Sequence, residues 1–216
     1  GGLARYLART YGVSVRSYNI STRQIEYARE RAAREGLDHL IEYVEDDYRN
    51  IQGTYDVFVS VGMLEHVGLR QYRAVGETID RCLKEGGRGL IHSIGQRKPR
   101  RLNPWIEQQI FPGAYAPSLK QMMEIFEPVS LEVVDVENLR SHYALTLKHW
   151  GENFDRNADV VKGMFGENFV RAWRLYLRGS QAAFTAGGLQ LYQVLFARAE
   201  SRAIPPTRDR LFTDRQ

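Results

Sequence analysis

Hydrophobic positions along this chain switch repeatedly between helical spacing and short, near-continuous runs. Leu3, Tyr6 and Leu7 share one side of a helix over Gly1 to Thr10. Val13 to Tyr18 reads as a strand. Ser21 is placed to cap the next helix, with Gln24 three residues on as a capping-box partner. That helix ends near Gly36, a residue suited to a left-handed C-terminal position. Leu40 to Glu45 and Tyr55 to Val61 are the next strands, and the apolar run of the latter predicts a parallel strand covered on both faces. A helix follows from about Gln71 to Leu83, then a turn at Gly86-Gly87 and a strand over Gly89 to Ile94. Beyond it, Asn103 to Glu127 reads as mostly helical, Leu131 to Glu137 as a strand, and His142 to Phe184 as two or three helices rich in aromatic residues. Gln190 to Ala197 is a final strand.

Alternation of strands and helices predicts an α/β fold with a doubly wound, mostly parallel sheet, in which Val57–Val59 and Leu90–His92 are adjacent central strands. Ligands of such sheets bind at the carboxyl ends of the strands. A doubly wound sheet opens on a strand that feeds a Gly-rich turn. Here Gly1-Gly2 stands inside such a turn, so the first strand is expected to be missing from this chain. Residues 1–200 are expected to form a single domain, and 201–216, with Pro205-Pro206 and many charges, a disordered tail.

Composition narrows the classes. With 43% hydrophobic residues, the 216-residue chain has enough apolar side chains for a core. No apolar run approaches the ~20 residues that span a bilayer. The single Cys82 excludes an internal disulfide framework and a multi-cysteine zinc site, and its apolar neighbours suggest a buried thiol in a reducing cytosol. Net charge is +4, and Arg97-Lys98-Pro99-Arg100-Arg101 puts four cations in five residues. That run is either a solvated loop or a contact for lipid phosphates.

The residues with chemistry cluster after strands. Asn19 to Gln24 follows the first strand, where nucleoside sites place a ribose-binding side chain. Gln24 either makes that bond or closes the capping box. Glu45-Asp46-Asp47-Tyr48 follows the second, where a carboxylate can accept from an adenine amino group. Glu65 and His66, bracketed by Gly62 and Gly68, follow the third. His92 lies inside an apolar strand, either a satisfied core histidine or a partner of Glu65. No metal-ligand spacing accompanies them.

Several of these segments resemble one family. Val59-Ser60-Val61-Gly62-Met63-Leu64-Glu65-His66-Val67-Gly68 is similar to a glycine-phenylalanine-glutamate-histidine-valine-glycine region of cyclopropane-fatty-acyl-phospholipid and mycolic acid cyclopropane synthases. Ile91 to Gly95, Asn103 to Ile106, Ile110 to Gly113, His142 to Leu147 with Trp150, and Phe184 with Leu189 to Phe196 resemble later stretches, in order, up to about Arg198. The resemblance implies a class I, Rossmann-like methyltransferase fold with helical insertions around a lipid pocket. It implies an enzyme that uses S-adenosylmethionine to build a cyclopropane ring on unsaturated phospholipid acyl chains. By position, Gly1 and Gly2 end the cofactor's Gly-rich loop, Asn19 and Gln24 face its ribose and methionine side, Asp47 and Tyr48 flank the adenine, and Val61 lies beneath it. Glu65, His92, the Ile94 backbone and Tyr143 match a bicarbonate pocket, and Trp105, Phe111, Tyr115, Trp150 and Tyr176 are candidates to line the acyl chain. Methylation without ring closure and a catalytically inactive remnant are the competing readings. The expected setting is the cytoplasm, peripheral at the inner membrane face and without nucleic acid; the oligomeric state, a homodimer or otherwise, is left open.

Overall fold

The computed structural model describes residues 1–201, 204, 205, 207 and 208. The chain divides into two compact units, Gly1–Gly53 and Thr54–Gln216.

The first unit is a helix followed by a βαβ turn of chain: α1 (Gly2–Tyr11), β1 (Val15–Asn19), α2 (Thr22–Arg34) and β2 (Ile41–Glu45). β1 and β2 pair in parallel, from Val15 opposite Ile41 to Asn19 opposite Glu45. Small residues let the helices seat closely. Ala4 and Ala8 of α1 and Ala28 and Ala32 of α2 join Ile25, Leu37, Ile41 and Tyr43 in one buried cluster. Gly36 adopts the left-handed conformation expected after α2, with φ 66°. Glu35 collects the guanidinium groups of Arg5, Arg9 and Arg31.

The second unit contains β3 (Tyr55–Val61), α3 (Leu64–Val67), α4 (Tyr72–Cys82), β4 (Leu83–Gln96), α5 (Pro104–Gln109), α6 (Leu119–Met123), β5 (Glu132–Asn138), α7 (Arg140–Arg156), α8 (Ala158–Phe165), α9 (Glu167–Thr185) and β6 (Leu189–Ala197). Its sheet runs β3-β4-β6-β5. β3 and β4 are adjacent and parallel, as expected, with Val59 opposite Leu90, but β3 lies at the edge of this sheet and not at its centre. The rest of this sheet is antiparallel, not parallel: β6 inserts between β4 and β5 and runs against both. Parallel neighbours need a crossover, and after β5 the chain instead returns through α7–α9 to lie between its predecessors.

Two local expectations change. The strand at Gly89 begins earlier, so Gly86-Gly87 lies within β4, beside an irregularity between Tyr55 and Val57 of β3. Gly87 is needed there, since a Cβ on it would stand 2.6 Å from the Leu83 side chain. β3 is also not covered on both faces: Val57, Val59 and Val61 are all exposed. Cys82 is buried, as its neighbours suggested. On β4, Gly89, Ile91, Ser93 and Gly95 face the buried side, and Leu90, His92 and Ile94 face the other, which is half-buried. On one side of the sheet, α7 and α9 pack Leu147, Leu177 and Phe184 against Leu191 and Ile94. The expected tail over 201–216 falls largely outside the described residues, though Arg208 pairs with Asp135.

Candidate active site

In the first unit, polar side chains gather where β1 and β2 end. Asn19 accepts from the Ser21 N–H at 2.8 Å and donates its amide to Gln24 Oε1 at 2.9 Å. The capping box expected at Ser21 is therefore absent: Ser21 precedes α2 without a side-chain bond, and Gln24 is held by Asn19 instead. A complete box occurs elsewhere, at Ser118 and Gln121. Asp47 accepts from the Arg49 N–H at 2.9 Å, and the Arg49 guanidinium grips both its oxygens at 2.8 and 2.9 Å. Arg49 holds the Asp47 carboxyl below the usual carboxylate range. Tyr48 is half-buried, and burial pushes its phenol up. Gly1 precedes α1 and accepts from the Tyr43 hydroxyl at 3.3 Å; a Cβ here would stand 2.6 Å from Ala28 Cβ. Only glycine permits that approach. Gly2 has open space around it.

In the second unit, the end of β3 sets the geometry. Gly62 turns the chain at φ 66° and donates its N–H to the His92 carbonyl at 3.0 Å. The turn delivers Glu65 in α3, whose Oε1 accepts the Ile94 N–H at 2.5 Å. Ile94 lies two residues past His92, the last β4 residue paired with β3, so this N–H is available to a side chain. Glu65 is only 9% exposed, and its Oε2 is buried with no partner among the described residues. Burial raises its pKa, opposed by its own N–H, that of Ile94 and the Ser93 hydroxyl.

His92 shares its β4 face with Ile94 and sits opposite Gln193 of β6. The Gln193 amide lies 3.1 Å from His92 Nδ1. With Nδ1 accepting, the ring proton belongs on Nε2. Burial lowers the His92 pKa and favours this neutral form. Tyr143 of α7 is raised by burial first and by the charge of Glu65 second, which places the phenol within electrostatic reach of that carboxylate. Its ring meets Phe184 and Trp150 edge-on, with centroids 4.9 and 6.0 Å away.

The second unit thus brings together Glu65, Ile94 and Tyr143, with His92 one position along the same face of β4. His66 stays exposed, edge-on to Phe111 at 5.9 Å. Phe111 in turn meets Tyr176 at 5.7 Å, and burial pushes Tyr176 up to about 12, with Tyr143 adding to the shift. Tyr115 donates its N–H to the Glu65 carbonyl at 2.8 Å. Trp105 is half-buried, and Val61 ends β3 at 55% exposure.

Two residues of this site escape the sequence reading. Gln193 interrupts the apolar pattern of the last strand, a signal that could have flagged it. Tyr72 carries no signal. It is fully buried, its hydroxyl has no partner among the described residues, and its pKa is raised by burial and by Glu65.

Comparison with known proteins bears on this geometry. A family model for mycolic acid cyclopropane synthetase matches residues 1–194. The cyclopropane-fatty-acyl-phospholipid synthase of Escherichia coli is 39% identical over 199 residues, which cover 92% of this chain and 51% of that protein. A tuberculostearic acid methyltransferase of Mycobacterium tuberculosis is 37% identical over 193 residues, covering 86% of this chain and 45% of the relative. The chain thus spans about half the length of these relatives. The structure of a cyclopropane synthase from Mycobacterium tuberculosis superposes with a TM-score of 0.86 at 21% identity, over 92% of this chain and 74% of that one. A mycolic acid cyclopropane synthase complexed with SAH and CTAB gives 0.85 at 24% identity, with the same coverage. The fold is that of the class I methyltransferases. By the extent of the family match and the identity of its relatives, the chain belongs to the mycolic acid cyclopropane synthetase family.

Proposed function

We propose that this protein transfers a one-carbon unit from S-adenosylmethionine to the cis double bond of unsaturated phospholipid acyl chains, closing a cyclopropane ring. One observation carries the reading. A buried carboxylate places one oxygen on a backbone N–H and leaves the other without a partner among the described residues, with a phenol within electrostatic reach and His92 one position along the same face of β4. An unpartnered buried oxygen is costly, and a bound group that can donate to it would remove the cost. Bicarbonate fits: its hydroxyl can donate to Glu65 Oε2, and its other oxygens suit donors on His92 Nε2 and Tyr143.

S-adenosylmethionine supplies an electrophilic methyl strong enough for a weakly nucleophilic alkene, and bicarbonate supplies a base. The residues proposed for the first are Gly1, Gly2, Asn19, Gln24, Asp47 and Tyr48; Val61 is proposed on the resemblance alone. Transfer of the methyl to the alkene, with S-adenosylhomocysteine as leaving group, would leave a cation on the acyl chain, and passage of a proton from the transferred methyl to the base would let the ring close. Glu65, oriented by the Ile94 N–H, would hold the base together with His92 and Tyr143 where that proton departs. The aromatic set of Phe111, Tyr176, Tyr143 and Phe184, packed edge-on pair by pair, would keep water from the cation and offer it ring faces. The name of the Mycobacterium relative favours one second reading, methylation of the same class of chain without ring closure. The protein would act peripherally at the cytoplasmic membrane face; no helix among the described residues is long and apolar enough to cross a membrane. Mass spectrometry of lipids incubated with labelled S-adenosylmethionine tests the proposal: a label in a cyclopropane-bearing chain is expected, and an unlabelled lipid fraction would refute it.

A further inference from the structure

The basic run after β4 is built into a cleft of its own. Gln96, 2% exposed, donates its side-chain amide to the Arg100 carbonyl at 2.7 Å and the Ala116 carbonyl at 2.6 Å. Its backbone N–H donates to the Pro117 carbonyl at 2.9 Å. These bonds pin the loop over 97–100 against the segment that opens α6. Between them lies a cleft of about 450 Å³, lined by Arg97, Ser118, Lys120, Gln121, Glu124 and Tyr192, among others. Arg97 and Lys120 have no ion-pair partner among the described residues, although Glu124 also lines the cleft. A lone carboxylate between two free cations leaves the lining net positive.

The floor of the cleft gives a second, independent indication. Tyr192 is 8% exposed, and its hydroxyl has no hydrogen-bond partner among the described residues. The ring lies over Gly95, where a Cβ would come within 2.7 Å of it. The glycine therefore makes room for a tyrosine whose one polar atom is left for something else. Tyr192 pairs with Ser93 across β4 and β6, and His92 pairs with Gln193. Strand alternation thus puts Tyr192 on the sheet face opposite His92 and Ile94.

We propose that this cleft binds a phosphate group, with Arg97 and Lys120 supplying charge and the Tyr192 hydroxyl a directed donor. Its source is either an anionic phospholipid headgroup or a free phosphate. If a headgroup, the cleft docks the protein on the bilayer that holds its substrate, which rests on the proposed function.

The test measures binding of the protein to phosphatidylglycerol-containing vesicles, with phosphatidylcholine vesicles alongside, and separately a titration with inorganic phosphate. Replacing both cations (R97A with K120A) should weaken binding to phosphatidylglycerol about 10- to 30-fold, as loss of two cations near an anionic surface implies. Tyr192→Phe keeps the ring over Gly95 and should weaken it by roughly tenfold, with an unchanged melting temperature. Replacing Lys98 and Arg101, which do not line the cleft, should cost clearly less. Vesicle binding that excess inorganic phosphate does not displace identifies a headgroup; saturable phosphate binding that displaces the vesicles identifies a free phosphate. Equal losses for the Lys98/Arg101 and Arg97/Lys120 pairs, together with an unaffected Tyr192→Phe variant, would reduce the cleft to diffuse surface charge and overturn the proposal. Failure of the two readings can be told apart. A wild-type protein that binds through Arg97 and Lys120 but transfers no methyl group overturns the proposed function and leaves the cleft standing. Turnover on lipid with binding insensitive to Arg97, Lys120 and Tyr192 does the reverse.

Discussion

The two units treat their polar side chains in opposite ways. In Gly1–Gly53, Asn19 and Gln24 bond to each other, Thr22 donates to Glu45, and Asp47 is gripped by Arg49. In Thr54–Gln216, Glu65 Oε2 and the Tyr72 hydroxyl are buried without partners among the described residues, and Tyr143 and His92 are shifted mainly by burial. Both groups follow strand ends or neighbour them, so position in the fold does not distinguish them. Satisfaction does. An exposed, mutually bonded set can exchange its partners for a polar ligand at little net cost, which suits reversible binding of a nucleoside. A buried, unsatisfied set holds a standing energetic penalty that a specific small group can relieve, which suits a site that positions a reacting ion.

This contrast can be broken by mutation. The largest effect should come from His92→Phe, which keeps an aromatic ring beneath Gln193 but removes the Nε2 donor. Turnover should fall about 100-fold or more, with S-adenosylmethionine affinity within a factor of about two of wild type. Equal losses in both would mean that the two units do not divide the labour. Next, Asp47→Ala should weaken S-adenosylmethionine binding by about 1–3 kcal/mol in calorimetry, while turnover at saturating cofactor changes little. Unchanged affinity would make Asp47 merely a cap for the turn that follows it.

Smaller effects should appear in stability against pH. His92 is lowered from 6.5 in the fold, so the stability it contributes is present above that value and is lost as pH falls towards its folded pKa. His92→Phe should remove that loss, and its melting temperature should decline less than wild type between about pH 7 and pH 5. Glu65 is raised from 4.5, so its contribution is present below that value and is lost as pH rises through the folded pKa. Glu65→Gln should therefore gain on wild type as pH rises from about 4 to 7. Parallel melting curves for wild type and variant would mean that Glu65 carries no burial penalty. The smallest effect should be Gln24→Ala. It breaks one exposed hydrogen bond with Asn19 and should lower stability by less than about 1 kcal/mol.

Much of this was legible in the sequence because the spacing of hydrophobic positions tells helix from strand. The strand at Tyr55 to Val61 and the helix that begins at Thr22 lie where spacing and turn residues put them. Period does not report what covers a strand, so the exposure of Val57, Val59 and Val61 could not be read from it. Nor does it report direction, and the antiparallel insertion of β6 depends on how a long helical return packs. Side-chain choices between near-equal partners were equally hidden, as with Gln24, which bonds to Asn19 and leaves Ser21 uncapped. The site around Glu65 was visible through Glu65 and His92, which stand out in apolar strand ends. Tyr72 was invisible because a tyrosine near the start of an amphipathic helix looks like core; only the fold shows its hydroxyl near Glu65 and unpaired among the described residues.

The central claim is that Glu65 positions a base and does not bind the methyl donor. Turnover per folded molecule of Glu65→Gln, measured with and without added bicarbonate at saturating S-adenosylmethionine, tests it most directly. The account predicts a loss of roughly 100-fold or more, stimulation of the wild type by bicarbonate, poor rescue of the variant, and cofactor affinity nearly intact. A variant that turns over normally once folded, or one that loses activity only through lost cofactor binding, would contradict it.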